Sequence, residues 1–274
     1  LDYYNSSKNL ISAFENFLVN LPFYGVAIIN QDDKNLKKII LRNDTRKIIS
    51  YSNKNKNADV FIKKVIFKKQ YSKFELKFNT PINNLSGFHS YTVKAIGLHN
   101  IYNSTASIVA SLLAGVKNNH IKSALTNYIG VKRRFTYLGK VNFSHIYDDY
   151  AHHPTEILAT LEGAKQINKS IIVVFQPHRY SRTKILFNEF LQVLSKINTL
   201  YLLDTYSAGE KKIRGFETKN IYNHLIKSKK NIFYIKEKDL NKSIYKETNK
   251  KNIIIFMGAG SITKMASNFL KINE

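Results

Sequence analysis

The 274-residue chain contains no cysteine, which excludes a disulfide framework and any thiolate metal site. Acidic residues are scarce: 19 Asp and Glu stand against 43 Lys and Arg, for a formal net charge of +24. No stretch approaches the roughly 18 uninterrupted apolar residues of a membrane span. The first residues, Leu1-Asp2-Tyr3-Tyr4-Asn5, lack the charged and apolar regions of a signal peptide. No internal repeat is present. These absences make the cytoplasm the default location, with no membrane partner expected. A start at Leu1 rather than Met reads as a processed or incomplete polypeptide.

What is present suits a packed core: 43% of residues are hydrophobic and 12% aromatic, in a length fitting one large or two ordinary domains. The positive charge raises nucleic-acid or anionic-membrane binding as a class. A dedicated binding face would gather the lysines, whereas here they are scattered among Asn and Ile along the whole chain. They read as a solvated surface, and no nucleic-acid partner is expected. A basic field also attracts nucleotides and phosphorylated substrates.

From about residue 127 onward, short apolar β-runs alternate with amphipathic stretches, the pattern of a doubly wound, mostly parallel, Rossmann-like α/β domain. Strands are predicted at 141–147, 170–175, 199–203, 231–235 and 252–257, with helices at 157–167 and 185–197. Right-handed crossovers bring the strands' carboxyl ends to one edge, where ligands bind in such sheets. That edge would carry Asp148 and Asp149, Gln176 to His178, Asp204 to Tyr206, and Gly258 to Gly260. Residues 1–126 look different. A helix is expected at 10–21, a buried strand at 25–30 followed by an Asp32-Asp33 turn, and β-like runs over 47–78 with a hairpin around 69–72. A further helix follows at about 100–114. This segment reads as the rear part of a domain, because its apolar elements have too few partners for a complete core.

Chemistry is densest at Asp148-Asp149-Tyr150-Ala151-His152-His153-Pro154-Thr155-Glu156-Ile157, where two carboxylates, a phenol and two imidazoles lie between a β-run and a proline-started helix. Zinc is one explanation for the histidines, but adjacent histidines project differently and no HExxH helix accompanies them. No metal site is expected. Arg179 and Arg182 stand three apart at the start of a helix whose cap would be Tyr180 or Ser181, either an anion site beside free helix N–H groups or a solvated charged face. Asn100 and Asn103 share a face of a first helical turn, where carboxamides either cap the helix or meet a purine edge. The run Lys132-Arg133-Arg134 reads as a solvated face or as a phosphate contact. Asp204-Thr205-Tyr206-Ser207-Ala208-Gly209-Glu210 has the composition of a turn. Gly258-Ala259-Gly260 is too short for a dinucleotide fingerprint and reports close strand-to-helix packing.

The decapeptide resembles the signature of the Mur ligases, ATP-dependent amino-acid-adding enzymes of peptidoglycan synthesis. The second motif, Phe175-Gln176-Pro177-His178-Arg179-Tyr180-Ser181-Arg182-Thr183, is similar to that of the member that joins L-alanine to UDP-N-acetylmuramate, as is the 204–210 loop. The resemblance implies that 1–126 is the rear part of the central ATP-binding domain and 127–274 the carboxyl-terminal, amino-acid-binding domain. It assigns Asn100 and Asn103 to adenine, Arg134 to ATP phosphate and Asp149 to the nucleotide, its ribose hydroxyls, with Arg134 and Asp149 as the catalytic pair. Tyr150, His152, His178, Arg179 and Arg182 fall to the amino-acid substrate. Substrates and cofactors would be ATP, Mg2+, UDP-N-acetylmuramate and L-alanine.

The family's phosphate-cradling loop is missing: no G-x-x-G-K-[ST] string occurs in the sequence. The family's magnesium-holding Glu and His would lie upstream, since Leu1-Asp2-Tyr3-Tyr4 resembles the residues that follow that His. The expectation is therefore an incomplete ligase, inactive alone. Two other readings stand beside it: the related recycling ligase that attaches a whole peptide to UDP-N-acetylmuramate, and a degenerate ligase scaffold serving as a basic nucleic-acid-binding module or as a subunit of an assembly.

Overall fold

The computed structural model describes the chain apart from residues 1–3, 5, 43–45, 69–70, 129, 169, 229–230 and 274. The Leu1-Asp2-Tyr3 string and the tip of the hairpin expected around 69–72 thus lie outside the described residues. Two units are formed, one of 1–67, 71–94 and 98–128, the other of 68–70, 95–97 and 129–274.

The first unit contains α1 (Ser7–Val19), β1 (Val26–Asn30), α2 (Lys34–Arg42), β2 (Lys47–Ser52), β3 (Val60–Phe67), β4 (Ser72–Ile82), β5 (Leu85–Val93), α3 (Leu98–Leu113) and α4 (Asn118–Asn127). The Ser6 hydroxyl caps α1 by accepting from the Asn9 amide at 3.1 Å. Its strands pair in the order β1-β2-β3-β4-β5, parallel from β1 to β3 and antiparallel from β3 to β5. Strand β4 alternates, burying Phe74, Leu76 and Phe78, the period-2 signature of a sheet with one covered face. Asn83 and Asn84, both at positive φ (47° and 63°), turn β4 into β5, a conformation that asparagine tolerates and that matches strand twist.

The second unit contains β6 (Thr136–Val141), β7 (Ser144–Asp149), α5 (Pro154–Lys165), β8 (Ile171–Phe175), α6 (Tyr180–Ile185), α7 (Phe187–Leu194), β9 (Thr199–Leu202), α8 (Thr218–Leu225), β10 (Ile232–Tyr234), α9 (Leu240–Tyr245), β11 (Ile253–Met257) and α10 (Ile262–Asn273). The sheet order is β10-β9-β8-β11-β7-β6. All pairs are parallel except β6 with β7. Strands β8 and β11 are buried at every position, as expected for central parallel strands covered on both faces. Ile172, Val174, Ile254, Phe256, Met265 and Phe269 belong to one core cluster that joins the sheet to α10.

Two expectations are corrected. The single strand at 141–147 is a hairpin: the chain reverses at Asn142 (φ 48°) and Phe143, so the apolar run belongs to two strands. The helix at 185–197 is interrupted at Leu186 (φ −112°, ψ 27°), giving a short α6 and a separate α7. The expected common edge is formed: Met257 pairs with both Asp149 and Phe175, and Phe175 pairs with Leu202. The segments that follow these strands therefore emerge side by side.

Candidate functional site

At that edge β7 delivers both acids inward. Asp149 is 6% exposed and its two oxygens accept from the backbone amides of Phe135 (2.8 Å) and Ala151 (2.7 Å). Thr160 donates a further hydrogen bond. Burial nevertheless pushes the Asp149 carboxyl up to about 6. Asp148, 2% exposed, accepts from the Thr263 hydroxyl at 3.0 Å, and burial raises its pKa too. The pair joins neighbouring segments to the strand end.

The histidines divide their work. His153 stands at the start of α5, where its Nδ1 accepts from the Thr155 amide at 3.3 Å. Glu156 reaches back to the amides of His152 (3.1 Å) and His153 (3.2 Å), a reciprocal cap ahead of Pro154. His152 instead joins a row of rings. It lies edge-on to Tyr150 (centroids 5.0 Å apart) and to His178 (5.9 Å), and His178 stacks on Tyr206 at 5.5 Å and 14°. Arg182 Nη1 is 3.2 Å from both His178 Nδ1 and the His178 carbonyl. A guanidinium has no acceptor, so Nδ1 accepts and the His178 proton sits on Nε2. Burial lowers the His178 pKa, and the charges of Arg182, His152 and Arg179 act in the same direction. Burial likewise lowers that of His153. Among the described residues no group of three or more His, Asp or Glu side chains is arranged to hold a metal ion.

The expected anion site before α6 already has an occupant. Arg179, at φ 71°, is itself the residue before the helix, in place of Tyr180 or Ser181. Glu210 accepts from the Ser181 amide (3.0 Å) and hydroxyl (2.6 Å) and lies 3.9 Å from Arg179 Nη1. Burial opposes its charge, but the Ser181 hydrogen bonds and Arg179 outweigh that and hold the Glu210 carboxyl below its usual range. The sequence places Glu210 in a turn-like loop similar to one in the family but gives it no role of its own; an acid closing a glycine turn in so basic a chain is the available signal. Glu210→Ala is expected to destabilise this unit by about 1 kcal/mol through the lost cap, read as a lower urea midpoint. Glu210→Gln, which keeps an acceptor for Ser181, should recover most of it.

In the first unit, α3 begins at Leu98, two residues before Asn100, so neither Asn100 nor Asn103 stands at the cap position. Asn100 is half-buried and Asn103 exposed. Between them, Tyr102 donates to Asp32 at 2.7 Å, and Asp32 also accepts from the Ser52 hydroxyl (2.5 Å) and the Asn53 amide (2.7 Å). Beyond the turn that the sequence predicts there, Asp32 ties the ends of β1 and β2 to the start of α3. Of the cation run, Lys132 and Arg134 are exposed and Arg133 is half-buried. Tyr150, His152, His178, Arg179 and Arg182 thus come together at one sheet edge with Asp149 beneath it, while the asparagines belong to the other unit.

Residues 1–111 match the Mur ligase middle domain, and residues 133–260 match the Mur ligase, glutamate ligase domain. The UDP-N-acetylmuramate–L-alanine ligase of Rickettsia felis is 36% identical over 277 residues, which cover 97% of this chain and 58% of that protein. Among solved structures, UDP-N-acetylmuramate-alanine ligase MurC from Thermotoga maritima aligns with a TM-score of 0.75 and 22% identity, over 98% of this chain and 56% of that one. The MurF ligase of Thermotoga maritima in complex with ADP aligns with a TM-score of 0.74 and 14% identity, over 99% of this chain and 60% of that one. The chain therefore spans a little over half the length of the proteins it matches.

Proposed function

Because this chain belongs to the Mur ligase family, we propose that it carries the nucleotide-contacting and alanine-binding residues of an ATP-dependent ligase that joins L-alanine to UDP-N-acetylmuramate. In that reaction the γ-phosphoryl of ATP passes to the muramyl carboxylate, and the amine of L-alanine attacks the resulting acyl phosphate with loss of phosphate. Catalysis consists mainly of positioning and charge neutralisation. The observation that carries the reading is the row Tyr150, His152, His178 with Arg182 beside it, at the carboxyl edge of a doubly wound sheet.

In this proposal Arg182 and Arg179 receive the alanine carboxylate. Arg182 donates to the His178 ring and carbonyl and no acid is paired with it among the described residues, whereas Glu210 already claims part of the charge of Arg179. His178 and His152, with Tyr150, would orient the amine. Asn100 and Asn103 meet the adenine, and Arg134 the phosphates. Asp149 serves the nucleotide through the segments it fixes: one carboxylate binds the amide next to Arg134 and the amide next to Tyr150. The resemblance also implies Mg2+; the described residues offer no ligand set for it, and no step is derived through it.

The test joins this chain to the portion of the Rickettsia felis enzyme outside the match and measures ADP release with ATP and UDP-N-acetylmuramate. Release is expected on addition of L-alanine and at background with a free tripeptide. Preference for the tripeptide would move the reading to the recycling ligase, and release with neither would refute it. The 274 residues alone, lacking a phosphate-cradling string, should stay at background. Arg182→Ala should raise KM for L-alanine about 10- to 100-fold, the worth of a charge-assisted hydrogen-bonded pair, and leave KM for ATP unchanged.

A further inference from the structure

Arg133 is the one member of the Lys132-Arg133-Arg134 run that is not exposed. Both Arg133 and Phe135 adopt positive φ (64° and 47°), so the segment bends sharply where the side chain is taken in. Its Nη2 donates to the Gly258 carbonyl at 2.9 Å and the Gly260 carbonyl at 3.3 Å. Its Cζ lies 4.5 Å from the centroid of the Tyr150 ring, within the range of a cation–π contact. The Arg133 carbonyl accepts from the Tyr150 amide at 2.6 Å, so Tyr150 is held by both its backbone and its ring. The Arg133 Nε is buried with no hydrogen-bond partner. An unpaired buried donor is costly, so the carbonyls and the ring, not full hydrogen bonding of the guanidinium, define this placement.

These contacts close a circuit. Arg133 holds Gly260; a Cβ at Gly260 would lie 2.6 Å from Tyr206 Cγ, so the turn packs directly on that ring. Tyr206 stacks on His178, His178 meets His152, His152 meets Tyr150, and Tyr150 returns to Arg133. We propose that Arg133 is a positioning residue whose guanidinium clasps this ring shut, fixing Tyr150 and Tyr206 at its two ends so that the amino-acid side of the site is preformed. The planar fork suits the place, because one face must stack while an edge donates to two carbonyls. The functional half of this inference rests on the alanine-site reading above; the structural half does not.

The decisive experiment follows the tyrosine ring resonances of the 274-residue chain by NMR, with Tyr150 and Tyr206 assigned through Tyr150→Phe and Tyr206→Phe. In Arg133→Ala both rings are expected to shift, Tyr150 directly and Tyr206 through Gly260. Added guanidinium should restore both and methylammonium neither. Arg133→Lys, which keeps charge and bulk if the alanine variant fails to fold, should leave both displaced. Unmoved Tyr206 resonances in the variants, or equal rescue by methylammonium, would overturn the proposal. In the fused ligase assay, Arg133→Ala should raise KM for L-alanine roughly tenfold, as expected for displaced substrate-positioning groups, with KM for ATP unchanged. An equal rise for both substrates indicates a merely structural role and also overturns it. Absence of alanine-dependent turnover in the unmutated fusion refutes the ligase reading instead, and the spectra then decide the clasp alone.

Discussion

Gly258→Ala is expected to destabilise the carboxyl-terminal unit by about 3–5 kcal/mol, combining backbone strain with overpacking. Gly258 has φ 149°, and a Cβ there would lie 2.6 Å from the Gln176 carbonyl oxygen. That oxygen is backbone and cannot swing aside. The Gly258 amide donates to the Asp149 carbonyl at 3.0 Å, and the Gln176 amide to the Met257 carbonyl at 3.0 Å, so the turn is pinned to both neighbouring strands and has little room to relax. Gly260→Ala presents a different case. Its added carbon would meet the Tyr206 ring and the Gln176 side-chain oxygen at 2.6–2.7 Å, and both can move. About 1–3 kcal/mol is expected there, with Tyr206 displaced from His178. Gly209 supplies the control, since it has φ 86° and open space where a Cβ would stand. Urea midpoints of the three variants check the order. If Gly258→Ala costs no more than Gly209→Ala, the close approach between the turn and Gln176 is not what requires glycine.

The two glycines also show which features could be read from the amino-acid string. Gly258-Ala259-Gly260 was legible as a packing turn because glycine beside a strand end signals close approach, although nothing local reveals that the neighbours are Gln176 and Tyr206. Strands β8, β9, β10 and β11 were legible because runs such as Ile253–Met257 are apolar at every position and short. The start of α5 was legible because its signals are local: Pro154 presets the helical φ, and Glu156 accepts from amides within four residues. The β6–β7 hairpin was not: Asn142 at positive φ is its local mark, hidden beside apolar residues of both strands. The break at Leu186 carries no glycine or proline. For the site, the motifs located the residues, but their partners lie far along the chain. Asp149 binds an amide 14 residues away, Ser181 binds Glu210 29 residues away, and Arg133 reaches Gly258 across 125 residues. Such pairings follow from sheet order, which periodicity does not determine.

Stability of the carboxyl-terminal unit is expected to fall by about 3 kcal/mol as pH rises from about 4 to 7, because of Asp149. Its carboxyl has a pKa of about 6 in the folded chain against an ordinary value of 3.8. Between those values the folded state binds more protons than the unfolded one, so the slope of stability with pH is negative, and it levels off once both states are ionised. Asp148 is raised by burial as well and acts in the same direction, so the comparison is made in an Asp148→Asn background. There, urea unfolding of the chain with Asp149 should lose stability between pH 4.5 and 7, and the chain with Asp149→Asn should not share that loss; identical slopes would sink the assignment. Asp149→Ala should cost about 3–5 kcal/mol at acidic pH, since it strands the buried amides of Phe135 and Ala151 and the Thr160 hydroxyl. An acid that weakens the fold at neutral pH is out of place unless its geometry is needed. The Phe135 and Ala151 amides bind different oxygens of Asp149; both oxygens of a carboxylate accept, whereas a side-chain amide would turn its NH2 toward one of these donors. Those N–H groups flank Arg134 and Tyr150, which ties the ionisation of one buried carboxylate to the two sides of the proposed site.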